Sequence, residues 1–244
     1  FASYIQSQSL YPENIIRSEG KLFYKNKNNN LENVQYVINT KTQEKIKIES
    51  KYLVSEPDTI ENYSELNGFL SNQKKLKSAL DNGNIIVGIK GADGTYGEVP
   101  IQVTKHSIKD WPIDFYLSLI SGCLCVLIAG WVWALKPKEI AQQMLAISGF
   151  GILLASSSAS IYIARPLALN YELMRTMMFA NHFGAYLFGF AAISLFLSFP
   201  KILINKAWII SIVLLTIPLS LVDYLWLLGS PSSNYIINFI QTIV

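Results

Sequence analysis

Cysteine and histidine are nearly missing from this chain: two of each in 244 residues. Cys123 and Cys125 both lie in an apolar run, so residues 1–110 can hold no disulfide. Two positions apart on a helix, the thiols point in different directions and read as small apolar side chains. Cysteine use says nothing about compartment. The histidines are His106 and His182, and the sequence shows no metal-ligand cluster. A Gly-rich phosphate loop and a nucleophile–base pair are also missing, so no catalytic residue, metal or other cofactor is expected. There is no concentrated basic face either. Residues 1–110 hold 14 basic and 13 acidic side chains, and the rest hold 6 and 4, which argues against a nucleic-acid partner.

Charge is scarce after residue 110, and what replaces it is apolar. Spanning a ~30 Å hydrocarbon layer takes roughly 20 apolar residues in a helix. Four runs fit, at about 115–135, 144–164, 177–199 and 207–228. Gly229-Ser-Pro-Ser-Ser233 reads as a turn, and a fifth helix is expected to start at 235. The first residue is Phe1 rather than Met, so a signal peptide or further helix is expected upstream.

Lys136 and Lys138 follow the first span, and Lys201 and Lys206 follow the third. Lys and Arg favour cytoplasmic loops. The opposite connection, 165–176, carries Arg165, Arg175 and Glu172. This bias places residues 1–110 outside the cytoplasm. Trp111, Trp131 and Trp133 mark the two ends of the first span as an aromatic belt.

In the polar half, Val34, Tyr36 and Ile38 alternate with polar residues, as do Ile46 and Ile48. With Lys41-Thr42-Gln43 as the turn they predict a hairpin. A helix is predicted from about Ser71 to Leu80, capped by Ser71 or Asn72 and ended by Asp81-Asn82-Gly83. Ile85, Val87 and Ile89, then Val99, Ile101 and Val103, predict two further strands. The expected fold is a small α+β extracytoplasmic domain over 1–110, PDZ-like in its helix-then-hairpin ending. An all-α transmembrane helical bundle follows over 111–244. Asn62-Tyr63-Ser64 matches a glycosylation sequon by pattern alone.

Ionisable groups within a membrane are functional candidates by default. Arg165 ends the second span, Asn181 and His182 lie about a turn into the third, and Asp223 and Tyr224 lie near the end of the fourth. Because the helices alternate direction, all share one depth near the outer surface, and Arg165 is expected to pair with Asp223 beside His182. Three roles are open: a structural ion pair, interfacial snorkelling, or a ligand- or signal-sensing cluster that adds Arg175 and Trp226. For packing, Gly151, Ala155 and Ala159 recur at i, i+4, i+8. Ala180 with Gly184, and Ala185 with Gly189, repeat the small-xxx-small spacing. The second and third spans are therefore expected to pack closely. Ser156, Ser157, Ser158 and Ser160 can bond within or between helices, and Pro218 predicts a kink in the fourth span.

Several short segments occur in a suggestive order. They are Glu56-Pro57-Asp58, GFLSNQKKL (68–76), Trp111-Pro112, GWVWAL (130–135), IYIARPLAL (161–169), NHFGAYLFG (181–189) and LFLSFP (195–200). Together, over about residues 56–200, they resemble bacterial multi-pass membrane sensor histidine kinases. The layout is similar to that of the ComP-type quorum-sensing kinases. Where that pattern carries Arg-Glu, this chain has Arg165-Pro166. The resemblance implies the input module of a two-component sensor, in the bacterial cytoplasmic membrane, with a small-molecule or peptide signal. It also implies a homodimer and a response regulator reached through cytoplasmic kinase domains. The chain itself has no phospho-acceptor region or ATP lid, so any enzymatic activity would belong to the parent protein. The rival expectation is a non-catalytic membrane subunit or scaffold that assembles with a partner membrane protein.

Overall fold

The computed structural model describes residues 10–227, apart from 13, 19–20, 27, 55, 58–59, 61, 92–93, 106–110 and 166. His106 and the fifth helix expected at 235 lie outside the described residues. The chain divides into two compact units. The first is Phe1–Trp111 with Ala164–Met174, and the second is Pro112–Ile163 with Arg175–Val244.

Unit 1 is built on an antiparallel sheet of seven strands. They are β1 (Leu10–Pro12), β2 (Ile15–Ser18), β3 (Lys21–Lys25), β4 (Leu31–Asn39), β5 (Lys45–Lys47), β6 (Asn84–Lys90) and β7 (Tyr96–Lys105). The order is β1-β7-β6-β4-β3-β2, with β5 also beside β4. β6 pairs along one edge of β4, while the other edge is shared by β3 near Asn33 and β5 near Val37. Asn39 ties the β4–β5 turn: its Oδ1 accepts from the backbone N–H of Lys41 and Thr42 and from Asn82 Nδ2.

The simple alternation predicted for Val34, Tyr36 and Ile38 does not hold. A β-bulge between Val34 and Tyr36 inserts a residue, so Val34 and Val37 are the buried pair. A bulge switches which residues face the core. Tyr36 therefore lies on the other face, with its ring directly over Gly88, where a Cβ would collide with it. Its hydroxyl donates to Glu98 Oε1 at 2.8 Å, and Lys45 Nζ lies 3.4 Å from the ring centroid.

Helix α1 (Tyr63–Leu80) starts two turns ahead of the predicted Ser71. The reason is local: Asn62 Oδ1 accepts from Ser64 N–H at 2.8 Å and caps the helix there. Leu66, Phe69, Leu70, Gln73, Leu76 and Leu80 form its buried stripe, at the i, i+3, i+4 spacing that turns one helical face inward. Leu76, Ala79 and Leu80 join Val34, Val37, Ile85, Val87 and Ile101 in one core.

That core takes in a segment remote in sequence. Residues 164–174 carry the chain from one apolar helix into the next. Leu167, Ala168 and Leu169 are fully buried, and Leu167 and Ala168 belong to the sheet-domain core. Gln73, wholly buried on α1, donates from Nε2 to Tyr52 O and Leu167 O, each at 3.4 Å. Lys74 Nζ lies 5.7 Å from the Tyr171 ring centroid.

Unit 2 contains α2 (Ile113–Leu135), α3 (Ile140–Ile163), α4 (Tyr171–Ser198), whose first turn belongs to unit 1, α5 (Lys206–Leu214) and α6 (Thr216–Leu227). Among the described residues there are four stretches long and apolar enough to cross a membrane, the last being Lys206–Leu225. It is interrupted at Leu215. Pro218 has no N–H to give the Leu214 carbonyl, and its ring crowds that carbonyl, so the helix breaks there.

Two outcomes are expected. Leu167→Ala, a truncation in a close-packed core, should destabilise the sheet domain by about 2–5 kcal/mol, read as earlier loss of sheet signal on heating. A Leu167→Ala protein that melts like wild type would place the segment outside the core. Separately, the hydrogen bond to Glu98 holds the Tyr36 phenol above its ordinary value. Because the folded value is raised, the contribution is complete below about pH 10 and is lost as pH climbs through the folded value. Glu98→Gln should return the phenol toward its ordinary titration, as followed by ultraviolet absorbance.

Candidate functional site

Helices need small residues to approach closely in lipid. A Cβ on Gly151 would lie 2.6 Å from Phe188 N and 2.8 Å from Gly184 O. One on Gly184 would lie 2.6 Å from Ala155 N. α3 and α4 therefore meet backbone to backbone at Gly151, Ala155 and Gly184. Ala159 and Ala180 are half-buried on the same two helices. Ala185 is exposed, and a Cβ on Gly189 would meet nothing within 4 Å, so that pair is off this face. On the other side of α3, a Cβ on Gly149 would meet Ala129 Cβ at 2.6 Å and Cys125 O at 3.1 Å, and one on Gly122 would collide with Ser156. The sequence reading passed over Gly122 and Gly149, although both are glycines inside apolar helices. Ser156, Ser157 and Ser160 back-bond within α3, to Leu153 O, Leu154 O and Ser157 O.

The ionisable candidates fall in both compact units. Arg165 lies in unit 1, where its Nη2 donates to Val54 O and its guanidinium carbon sits 5.5 Å from the Phe69 ring centroid. His182 and Asp223 lie in unit 2 and pair with each other, Nδ1 to Oδ2 at 2.6 Å. An ionised carboxylate only accepts, so the imidazole N–H donates. The Asp223 side chain is 6% exposed and that of His182 21%. Arg175 and Asn181 are half-buried on α4. Trp226 falls within α6, and its side chain lies outside the described residues.

A groove of about 400 Å³ lies between α4 and α6. It is lined by Phe179, Phe183, Ile217, Ser220, Leu221 and Tyr224. Phe179 and Phe183 stack with centroids 6.2 Å apart, and Tyr224 meets Phe179 edge-on at 5.4 Å. Tyr224 was a candidate from sequence; the other five residues were not. The missed signal is Thr216, Ser220 and Asp223 at i, i+4, i+7, three buried polar residues on one face of α6. Among the described residues, the Thr216 and Ser220 hydroxyls have no hydrogen-bond partner. Toward the other end of the bundle, Ser194 Oγ donates to Ile209 O at 3.1 Å and joins α4 to α5. No group of three or more His, Cys, Asp or Glu able to hold a metal occurs among the described residues.

The architecture defines a class: a sheet domain joined to four helices long and apolar enough to cross a membrane. Comparisons with protein-family models, curated proteins and solved structures found no match.

Gly151→Leu and Gly184→Leu should each force α3 and α4 apart, at a cost of about 1–3 kcal/mol or more, seen as a lower melting temperature in detergent. Gly189→Leu, which points at open space, should leave it unchanged. If all three variants melted alike, the close approach would be wrong. His182→Ala should cost about 3–5 kcal/mol, because the buried Asp223 loses the partner of its charge. His182→Ala with Asp223→Asn should recover part of that loss in a double-mutant cycle.

Proposed function

We propose that this chain is the membrane-embedded input module of a two-component sensor histidine kinase. The observation that carries the reading is the burial of Leu167 and Ala168, from the α3–α4 connection, in the sheet-domain core. The chain passes between the two units at 111–112, at 163–164 and at 174–175. A signal that repacks the sheet domain therefore pulls directly on the ends of α3 and α4. Those helices meet at Gly151 and Gly184, with no side chain between them to absorb a shift. A ligand biases such packing only by its differential affinity for the two arrangements.

The lysines support the orientation. Lys136, Lys138 and Lys201 lie in the connections, and Lys206 opens α5, all at the helix ends away from 164–170. In a bacterial cytoplasmic membrane the positive-inside rule puts that side in the cytoplasm and the sheet domain outside. The PDZ-like assignment of the domain rests on α1 feeding the β6–β7 hairpin. The partners are the lipid bilayer, a second copy of the chain, and a response regulator reached through cytoplasmic kinase domains.

The test joins the full chain to a histidine-kinase core and measures autophosphorylation in vesicles. Leu167→Ala and Gly184→Leu should each change basal output several-fold, while Gly189→Leu should not. Equal output from all three would sink the sensor reading and favour a non-catalytic scaffold.

A further inference from the structure

We infer that four lysines at one end of unit 2 bind the phosphate headgroup of an anionic phospholipid from the adjacent leaflet. Lys136 and Lys138 flank Pro137 in the α2–α3 connection, Lys201 lies in the α4–α5 connection, and Lys206 opens α5. The fold brings these connections together. Ile140, two residues beyond Lys138, is buried with Met144 and Ile209, and Leu195 and Ile204 pack on them. Ile204 lies between Lys201 and Lys206 in sequence, so the four lysines rim one small core. Both connections are also tied down. Gln143 Nε2 donates to Pro137 O, and the Leu203 N–H donates to Leu197 O, each at 2.9 Å. Asn205 Oδ1 caps α5 by accepting from the Ala207 N–H. An ordered surface therefore presents the charges.

Charge selects the occupant. In the sheet domain, Lys47, Lys51, Lys75 and Lys77 each meet a carboxylate. The four lysines of unit 2 are exposed, and among the described residues none has an ion-pair partner. Glu139 is the one acidic residue in the two connections, so the rim keeps a net positive charge. Depth selects the source of the countercharge. Trp133 lies three residues before Lys136 and Trp208 two residues after Lys206, and both are exposed. Tryptophans at the ends of membrane helices sit at headgroup level. Lysine stems run along apolar surface and carry their ammonium groups out to the phosphates. Phe199 and Leu203, also exposed, offer acyl chains an apolar wall beside the lysines. A soluble anion would use the lysines alone, whereas an anionic lipid uses lysines and wall together. Each lysine near an anionic bilayer surface contributes roughly a fivefold preference. The site rests on the four apolar helices crossing a bilayer, not on the sensor reading.

The experiment uses the full chain in an uncharged detergent. Phosphatidylglycerol or phosphatidylcholine with brominated acyl chains is titrated in, and quenching of tryptophan fluorescence is followed. Phosphatidylglycerol should quench at a concentration roughly tenfold lower than phosphatidylcholine, and the quenching should saturate. Lys136→Gln with Lys138→Gln, and Lys201→Gln with Lys206→Gln, should each cut that preference roughly threefold or more, and all four together should abolish it. Lys136→Arg with Lys138→Arg, which keeps the charge, should keep the preference. So should Lys21→Gln with Lys25→Gln, at exposed positions of the sheet domain. The four rim side chains are exposed, so their replacement should leave melting in detergent unchanged. Equal quenching by the two lipids overturns the proposal, as does a preference that survives loss of all four lysines. So does stabilisation against heat by sodium tripolyphosphate equal to that by phosphatidylglycerol, which would assign the lysines to a soluble anion.

Discussion

The structure depends on a topological constraint: part of the sheet domain's core comes from the chain between two apolar helices. Leu167 and Ala168 fill space among Leu76, Leu80 and Ile85, and Gln73 donates to the Leu167 carbonyl. The domain cannot complete its core until α2 and α3 have been made and the chain has returned. Contacts about ninety residues apart close late in folding, because loop-closure entropy is lost before they form. The domain and the helices are thus one folding problem, although they form two compact units.

The second organising feature is the approach of α3 to both of its neighbours. Gly149 admits α2 and Gly151 admits α4, so two glycines two positions apart serve different helices. The angular step of an α-helix makes this possible, since positions two apart face in nearly opposite directions. Hydrophobic burial does not drive helices together inside lipid, so the close contact relies on van der Waals packing. The buried His182–Asp223 pair adds specificity between α4 and α6, as a buried charge tolerates few alternative alignments.

The sequence revealed some layers and hid others, for physical reasons. The four apolar runs were readable because the length and composition of a span are dictated by the solvent, not by tertiary contacts. The β4–β5 hairpin and the β6 and β7 strands were readable from alternation and turn residues. The bulge after Val34 was not, since an inserted residue leaves no mark on a string of Val, Gln and Tyr. The start of α1 was misplaced because Asn62 caps a turn whose residues look like loop. Leu167-Ala168-Leu169 is too short for any period, so its burial could not be read. Phe179, Phe183, Ile217 and Leu221 each look like ordinary lipid-facing residues, and only the fold gathers them into a groove. The pairing of His182 with Asp223 is likewise a tertiary fact, for 41 residues separate them.

The break at Leu215 has a mechanical meaning. It divides one membrane-crossing segment into two rods with separate fastenings. α5 is fastened to α4 by the Ser194 hydroxyl on the Ile209 carbonyl, and α6 by the imidazole on Asp223. An unbroken rod would carry any tilt of one half through to its other end. Here the backbone hydrogen bond missing at Pro218 leaves a hinge point. α6 can lean about it while α5 keeps its seat on α4.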